Sequence, residues 1–200
     1  MKFLVPVGGV TDSAFGVLTS YKHKGIPVGI RTGLPWAADN CAFSNSFDPH
    51  KFTQWLEKMT PYRDTCLFVV VPDKVGDCGT TLALWHEWRP KLNHWPLAFV
   101  CQDGQAPSEI PLDCDAIFIG GSTGWKTSSG VTACIQWAQT LAKSVHIGRV
   151  NWGKRYAHFR IMKGSEHFTC DGTRTRFDGT ERTLAAWKQY MGSVPLLQLE

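Results

Sequence analysis

What most restricts the fold of this chain is a series of short, unbroken apolar runs, each ending in a polar or glycine-rich turn. Phe3–Val7 ends at Gly8-Gly9, and Pro27–Ile30 runs into Arg31 and then Trp36-Ala37-Ala38-Asp39. Leu67–Val71 ends at Pro72-Asp73, Leu97–Cys101 at Gln102-Asp103-Gly104, and Ala116–Ile119 at Gly120-Gly121. Val145–Ile147 ends at Gly148-Arg149, and His167–Cys170 at Asp171-Gly172. Unbroken rather than alternating apolar runs mark strands covered on both faces. Between them, apolar residues recur at helical spacing over Asp12–Tyr21, Pro49–Met59, Asp77–Leu92, Ser128–Lys143 and Thr180–Met191, with Asp48 as an N-cap. Strands alternating with helices predict βαβ units and a parallel sheet. The interval from Gln102 to Gly120 is too short for a strand and a crossover helix, so a turn around Pro107–Pro111 must connect there. The expected fold is α/β, a compact single-domain TIM-barrel-like parallel (βα) barrel over residues 1–200, near the lower size limit of that architecture.

Composition excludes several classes. Hydrophobic content of 43% with 19% charged residues is globular rather than disordered. No apolar run approaches the ~20 residues of a membrane helix, and the opening MKFLVPVGG is too short an apolar stretch for a secretory signal. A cytoplasmic protein with no membrane partner is expected. The seven cysteines are scattered without zinc-finger spacing, so neither a metal nor a disulfide framework is expected. The nine tryptophans read as helix–sheet packing. Charge is uneven: residues 143–200 hold ten Lys/Arg against five Asp/Glu, and the rest hold eleven against twelve. The basic last quarter is either a solvated face or a phosphate-tracking surface.

In parallel barrels the chemistry lies at the carboxyl ends of the strands. Those ends carry Asp39, Asp73, Gln102, Gly120-Gly121, Arg149 and Asp171. Carboxylates converging on one mouth repel each other, which raises some pKa values and suits acid/base work. A glutamine and a glycine pair beside them offer amide groups for the edge of a flat heterocycle. Asp77 competes with Asp73 for such a role but also reads as a helix N-cap, and Asp103 reads as a turn residue. The Gly8-Gly9 turn is not a dinucleotide fingerprint, and no cofactor is called for.

The order of these segments resembles the tRNA-guanine transglycosylases and their relatives that insert 7-deazaguanine bases into DNA. Asp39-Asn40-Cys41-Ala42-Phe43-Ser44 resembles the family's D-S-G-G-F-Q segment, and Val70-Val71-Pro72-Asp73 the strand ending in the Asp that grips the purine edge. Phe99-Val100-Cys101-Gln102-Asp103-Gly104 resembles V-Q-G-G, and Ile119-Gly120-Gly121-Ser122 resembles G-G-L-A-V-G. His146-Ile147-Gly148-Arg149-Val150 resembles M-G-V-G, and Cys170-Asp171-Gly172-Thr173-Arg174 the segment holding the nucleophilic Asp. Together they cover residues 38 to about 174. Asn-Cys-Ala follows Asp39 in place of Ser-Gly-Gly, the family's Cys/His zinc site has no counterpart, and the chain is short. In these respects it is most similar to the small phage-type DNA-modifying branch.

The resemblance implies base exchange: guanine in a polynucleotide, DNA favoured over tRNA, is replaced by a 7-deazaguanine through a covalent aspartyl-glycosyl intermediate. It makes Asp171 the nucleophile and Asp39 the acid/base, with Asp73, Gln102, the Gly120 and Gly121 amides and Arg149 at the base. A base flipped out of the duplex would leave Arg149, Lys154, Arg155, Arg160, Lys163, Arg174 and Arg176 to meet the backbone. A partner protein or homo-oligomer stays open. Two other readings use the same residues: a nucleoside or N-glycoside hydrolase, and a nucleic-acid-binding subunit that has lost turnover. Convergence of Asp39, Asp73 and Asp171 on one pocket separates a working site from the last of these.

Overall fold

The computed structural model describes residues 1–6, 9–44, 47–151, 154–172 and 180–192. Eight parallel strands close into a barrel in sequence order: β1 (Lys2–Val5), β2 (Gly16–Thr19), β3 (Trp36–Ala38), β4 (Cys66–Val70), β5 (Leu97–Cys101), β6 (Ala116–Ile119), β7 (Ser144–Ile147) and β8 (Thr169–Cys170). Closure is made by β8 on β1, with Thr169 opposite Lys2 and Cys170 opposite Phe3. Around it lie α1 (Val28–Arg31), α2 (Pro49–Met59), α3 (Cys78–Trp88), α4 (Thr123–Lys126), α5 (Ser129–Thr140), α6 (Lys154–Arg160) and α7 (Thr180–Gly192). The β5–β6 connection holds only a 3-10 turn, Pro107–Glu109. No helix among the described residues is long and apolar enough to cross a membrane.

Two apolar layers explain the unbroken runs. Leu4, Leu18, Ala37, Phe68, Val70, Ala98, Val100 and Ala116 fill the barrel interior. Their strand neighbours, such as Phe3, Trp36, Val69, Phe99 and Ile117, belong to the outer core under the helices. Successive side chains on a strand point to opposite faces, so both sets must be apolar. Aromatic pairs fill the outer layer: Phe3 stacks on Trp187 of α7 at 4.3 Å, and Trp36 meets Trp55 and Trp95 edge-on. Each such burial contributes ~1.5–3 kcal/mol or more. Asp48 and Asp77 cap α2 and α3, accepting from the Lys51 and Thr80 amides at 3.1 and 2.8 Å.

One stretch departs from the expected pattern. Asp12–Tyr21, predicted as helix, contains β2; Pro27–Ile30, predicted as a strand, leads into α1; and Trp36–Ala38, predicted as a turn, is β3. All four residues of β2 are buried, so both its faces need cover, which a helix with one apolar stripe does not. Gly16 opens that strand because a Cβ there would lie 2.6 Å from the Leu4 side chain and 2.7 Å from the Pro35 carbonyl. Gly29 lets α1 sit close, since its Cβ would come within 2.5 Å of the Val10 carbonyl. The missed crossover is short, and a four-residue helix leaves too little periodicity to read.

Candidate active site

The period of two continues past the strand ends. Asp39 follows Ala37, Gln102 follows Val100, Gly120 follows Phe118 and Asp171 follows Thr169, each two residues on, so each is directed to the barrel axis. They line a cavity of about 450 Å³ at the carboxyl end, together with Asp73, Gly121, Arg149 and Lys126. The three carboxylates predicted from sequence therefore face one space. A larger groove of about 650 Å³ lies at the opposite end of β7, between α5 and the turn before β8. Its lining holds Lys143, Lys163 and His167 but no acidic side chain, so the first cavity is the site of interest.

Each carboxylate has a different setting. Burial alone would raise the Asp171 carboxyl, but the neighbouring His146 ring, the Arg149 amide and the Lys126 charge outweigh it and hold the group below its ordinary value. Its Oδ1 accepts from the Arg149 amide at 2.6 Å and stands 3.4 Å from His146 Nε2. Its Oδ2 has no hydrogen-bond partner among the described residues. His146 Nδ1 is tied to Thr169 Oγ1 at 2.8 Å, and the ring lies between Phe68 and Phe118. Arg149 reaches its amide into place with a left-handed backbone, φ 58°.

Asp39 is shifted the other way. Burial, seconded by the negative charge of Asp171, pushes its carboxyl up against the lowering effect of the Cys41 amide. That amide donates to Oδ1 at 2.9 Å from a residue at φ 63°, a conformation glycine adopts at least cost. Asp73 is pushed up to about 6, by burial first and then by the charge of Asp39. Asn40 Nδ2 donates to its Oδ1 and Gln102 Nε2 to its Oδ2, both at 2.7 Å. Asn40 is itself fixed by the Val71 carbonyl and the Ala42 amide. Gln102 Oε1 accepts from the Gly76 amide at 2.9 Å, so Gln102 braces Asp73 against the β4–α3 loop.

The glycine pair divides its duties, which corrects one expectation. The Gly120 amide donates to the Cys101 carbonyl at 3.0 Å, continuing the β5–β6 ladder, and so is not free to read a ligand carbonyl. Gly120 instead keeps the floor open: a Cβ would lie 2.7 Å from Val100 and 3.1 Å from Gln102 Nε2. Gly121, at φ 71°, turns the chain and gives its carbonyl to Arg149 Nη2 at 2.5 Å. Asp77 caps α3, and Asp103 ties the β5 loop to Ser122 through amide and hydroxyl bonds of 2.8 and 2.5 Å.

The described basic residues lie in different places. Arg155, at the start of α6, donates to the Arg149 carbonyl and to Thr123 Oγ1 beside the mouth. Arg160 ends the same helix against Tyr156, and Lys163 lines the groove at the far end. The Lys154 side chain, Arg174 and Arg176 lie outside the described residues. Sequence reasoning missed three contributors: His146, Lys126 and Asn40. A histidine inside the apolar Val145–Ile147 run was a usable signal. Lys126 gave none, because the Gly148 carbonyl that holds it comes from the loop after β7. Among the described residues no group of three His, Cys, Asp or Glu is placed to hold a metal ion.

Fold and site define a parallel (βα) barrel whose carboxyl end holds a cavity lined by three carboxylates and by Lys22, Lys126 and Arg149. The chain matches no known family model and none of the curated proteins.

Proposed function

We propose that the chain is a base-exchange transglycosylase acting on guanine in a polynucleotide, DNA by preference, and that a 7-deazaguanine replaces the departing base. The observation that carries this reading is the split among carboxylates facing one cavity: Asp171 is held below its ordinary value, and Asp39 and Asp73 are raised. Environments that push neighbouring acids apart assign one as anion and the other as proton carrier. The Asp171 carboxylate attacks C1′ through Oδ2, and the C1′–N bond to guanine breaks as the ester forms. Asp39 gives its proton to the departing base. The incoming base returns a proton to Asp39 as its nitrogen attacks C1′, and Asp171 leaves as carboxylate. Asp73, braced by Asn40 and Gln102, accepts from the N–H groups of the base, and the Gly121 amide is the donor for its carbonyl.

The order of six segments similar to the transglycosylase family supports this reading. So does the left-handed Cys41, which stands where the family's D-S-G-G segment has glycine. The test is incubation with duplex DNA and radiolabelled guanine or a 7-deazaguanine, followed by nucleoside analysis. Label entering the polynucleotide, and its absence with Asp171→Asn, is the expected result. Release of guanine without incorporation would make the protein a hydrolase; neither release nor incorporation, with DNA and RNA both tried, would end the enzymatic reading.

A further inference from the structure

Three cations crowd one side of the mouth. Lys126, at the end of α4, is 1% exposed, yet it lines the cavity. The Gly148 carbonyl accepts one of its three N–H donors. Arg149 lies beside it, with Cζ 4.1 Å over the Phe43 ring and one donor spent on the Gly121 carbonyl. Arg155 completes the group, aimed by the Arg149 carbonyl at 2.9 Å and Thr123 Oγ1 at 2.8 Å.

These groups repel one another. Arg149 and Arg155 both act on Lys126, and, after burial, they help push its ammonium down to about 7. Asp171 and Asp103 attract Lys126 and offset part of that repulsion from a distance, but neither pairs directly with it: Asp171 Oδ1 is engaged by the Arg149 amide and Asp103 by Ser122. None of the three makes an ion pair among the described residues. Among the described residues, neutral carbonyls and a hydroxyl hold them in place and take only a minority of their donors. A buried ammonium kept beside two guanidiniums without a direct ion pair is costly, and a bound anion would relieve that cost.

We propose that Lys126, Arg149 and Arg155 form a binding site for a phosphate oxyanion of the substrate. The inference rests on the reading of the cavity as a nucleotide site and narrows it. With C1′ at Asp171, the phosphate concerned is one of the two that flank the exchanged nucleotide. Charge-assisted hydrogen bonds to an oxyanion are the strong kind, and guanidiniums match phosphate geometry.

The site is tested by calorimetric binding without any incoming base, so that no turnover is needed. The probes are a trinucleotide with central guanine, the same trinucleotide with neutral methylphosphonate linkages, guanosine, and guanosine 5′-monophosphate. Wild type is expected to bind the charged trinucleotide at least tenfold more tightly than the neutral one. Lys126→Met and Arg155→Ala should each erase most of that preference. Arg155 is half-buried at the rim, so its variant tests the site even if Lys126→Met fails to fold. A charge preference for the monophosphate over guanosine, without one for the trinucleotide, keeps the phosphate site and moves it to free nucleotides. Equal affinity of wild type for charged and neutral probes overturns the proposal, as does a preference that survives in Arg155→Ala and in a folded Lys126→Met. A preserved phosphate preference with no base exchange would instead count against the transglycosylase reading alone.

Discussion

Replacing Asp73 by Asn is expected to change how stability depends on pH. Burial and the charge of Asp39 push this carboxyl from 3.8 to about 6, against the amides of Asn40 and Gln102. A carboxyl raised in the folded state stabilises the fold fully below its unfolded value, and the contribution is lost as pH rises through about 6. At ~1.36 kcal/mol per pH unit, the rise from 3.8 to about 6 corresponds to ~3 kcal/mol. Asn does not titrate, so it removes this slope. It also turns an NH₂ group toward the Asn40 or Gln102 donor, a cost of ~1–3 kcal/mol that does not depend on pH. Wild type is therefore the more stable protein near pH 4, and by pH 7 its stability relative to the mutant has fallen by ~3 kcal/mol. For a chain of this size that is ~6–12 °C in melting temperature. Paired thermal unfolding from about pH 4 to 8, followed by circular dichroism, reads the difference. Asp39 titrates in both proteins and largely drops out of the comparison. Melting curves that stay parallel across the range would refute the burial argument for Asp73.

Other perturbations separate the roles around the cavity. Asp77→Ala should cost ~1 kcal/mol through loss of the α3 cap and leave base exchange intact; an exchange rate that collapses while the fold persists would return Asp77 to the site. His146→Leu removes the ring that helps hold Asp171 down, so the acid limb of the pH–rate profile should move to higher pH, and an unmoved limb would dismiss that role. Arg155→Ala should reduce the slope of log K against log salt by ~0.9 on duplex DNA. Lys163→Ala, at the far end of the barrel, should leave that slope alone, and a matching loss there would show that binding spans both ends.

Much of the architecture was legible because the barrel buries its strands on both faces. β5 and β6 carry four or five consecutive apolar residues followed by a turn, and their predicted and observed limits coincide. The same rule placed Gln102, Gly120 and Asp171 at one end, whereas Asp39 stands there because Trp36–Ala38, read as a turn, is the strand before it. Reading failed at β2 and α1, where each element is four residues long and Gly16 and Gly29 serve close packing rather than periodicity. At the site, the positions of the acids were readable but their supports were not. Which amide reaches Asp171 depends on the left-handed turn at Arg149, and Lys126, after β6, is held by the Gly148 carbonyl, after β7. Such contacts belong to the tertiary fold and leave no local pattern.

The central claim is that Asp171 forms a bond to C1′. Wild type mixed with its polynucleotide and a competing base should yield a protein–nucleic acid adduct that survives denaturation and is seen by mass spectrometry. Asp171→Asn keeps the side-chain size but lacks the anionic oxygen, so the adduct should vanish while binding persists. Asp39→Asn should still form it slowly, because proton transfer commonly contributes ~10²–10⁴-fold rather than the bond itself. An Asp171→Asn protein that is folded and exchanges bases at the wild-type rate would contradict the account.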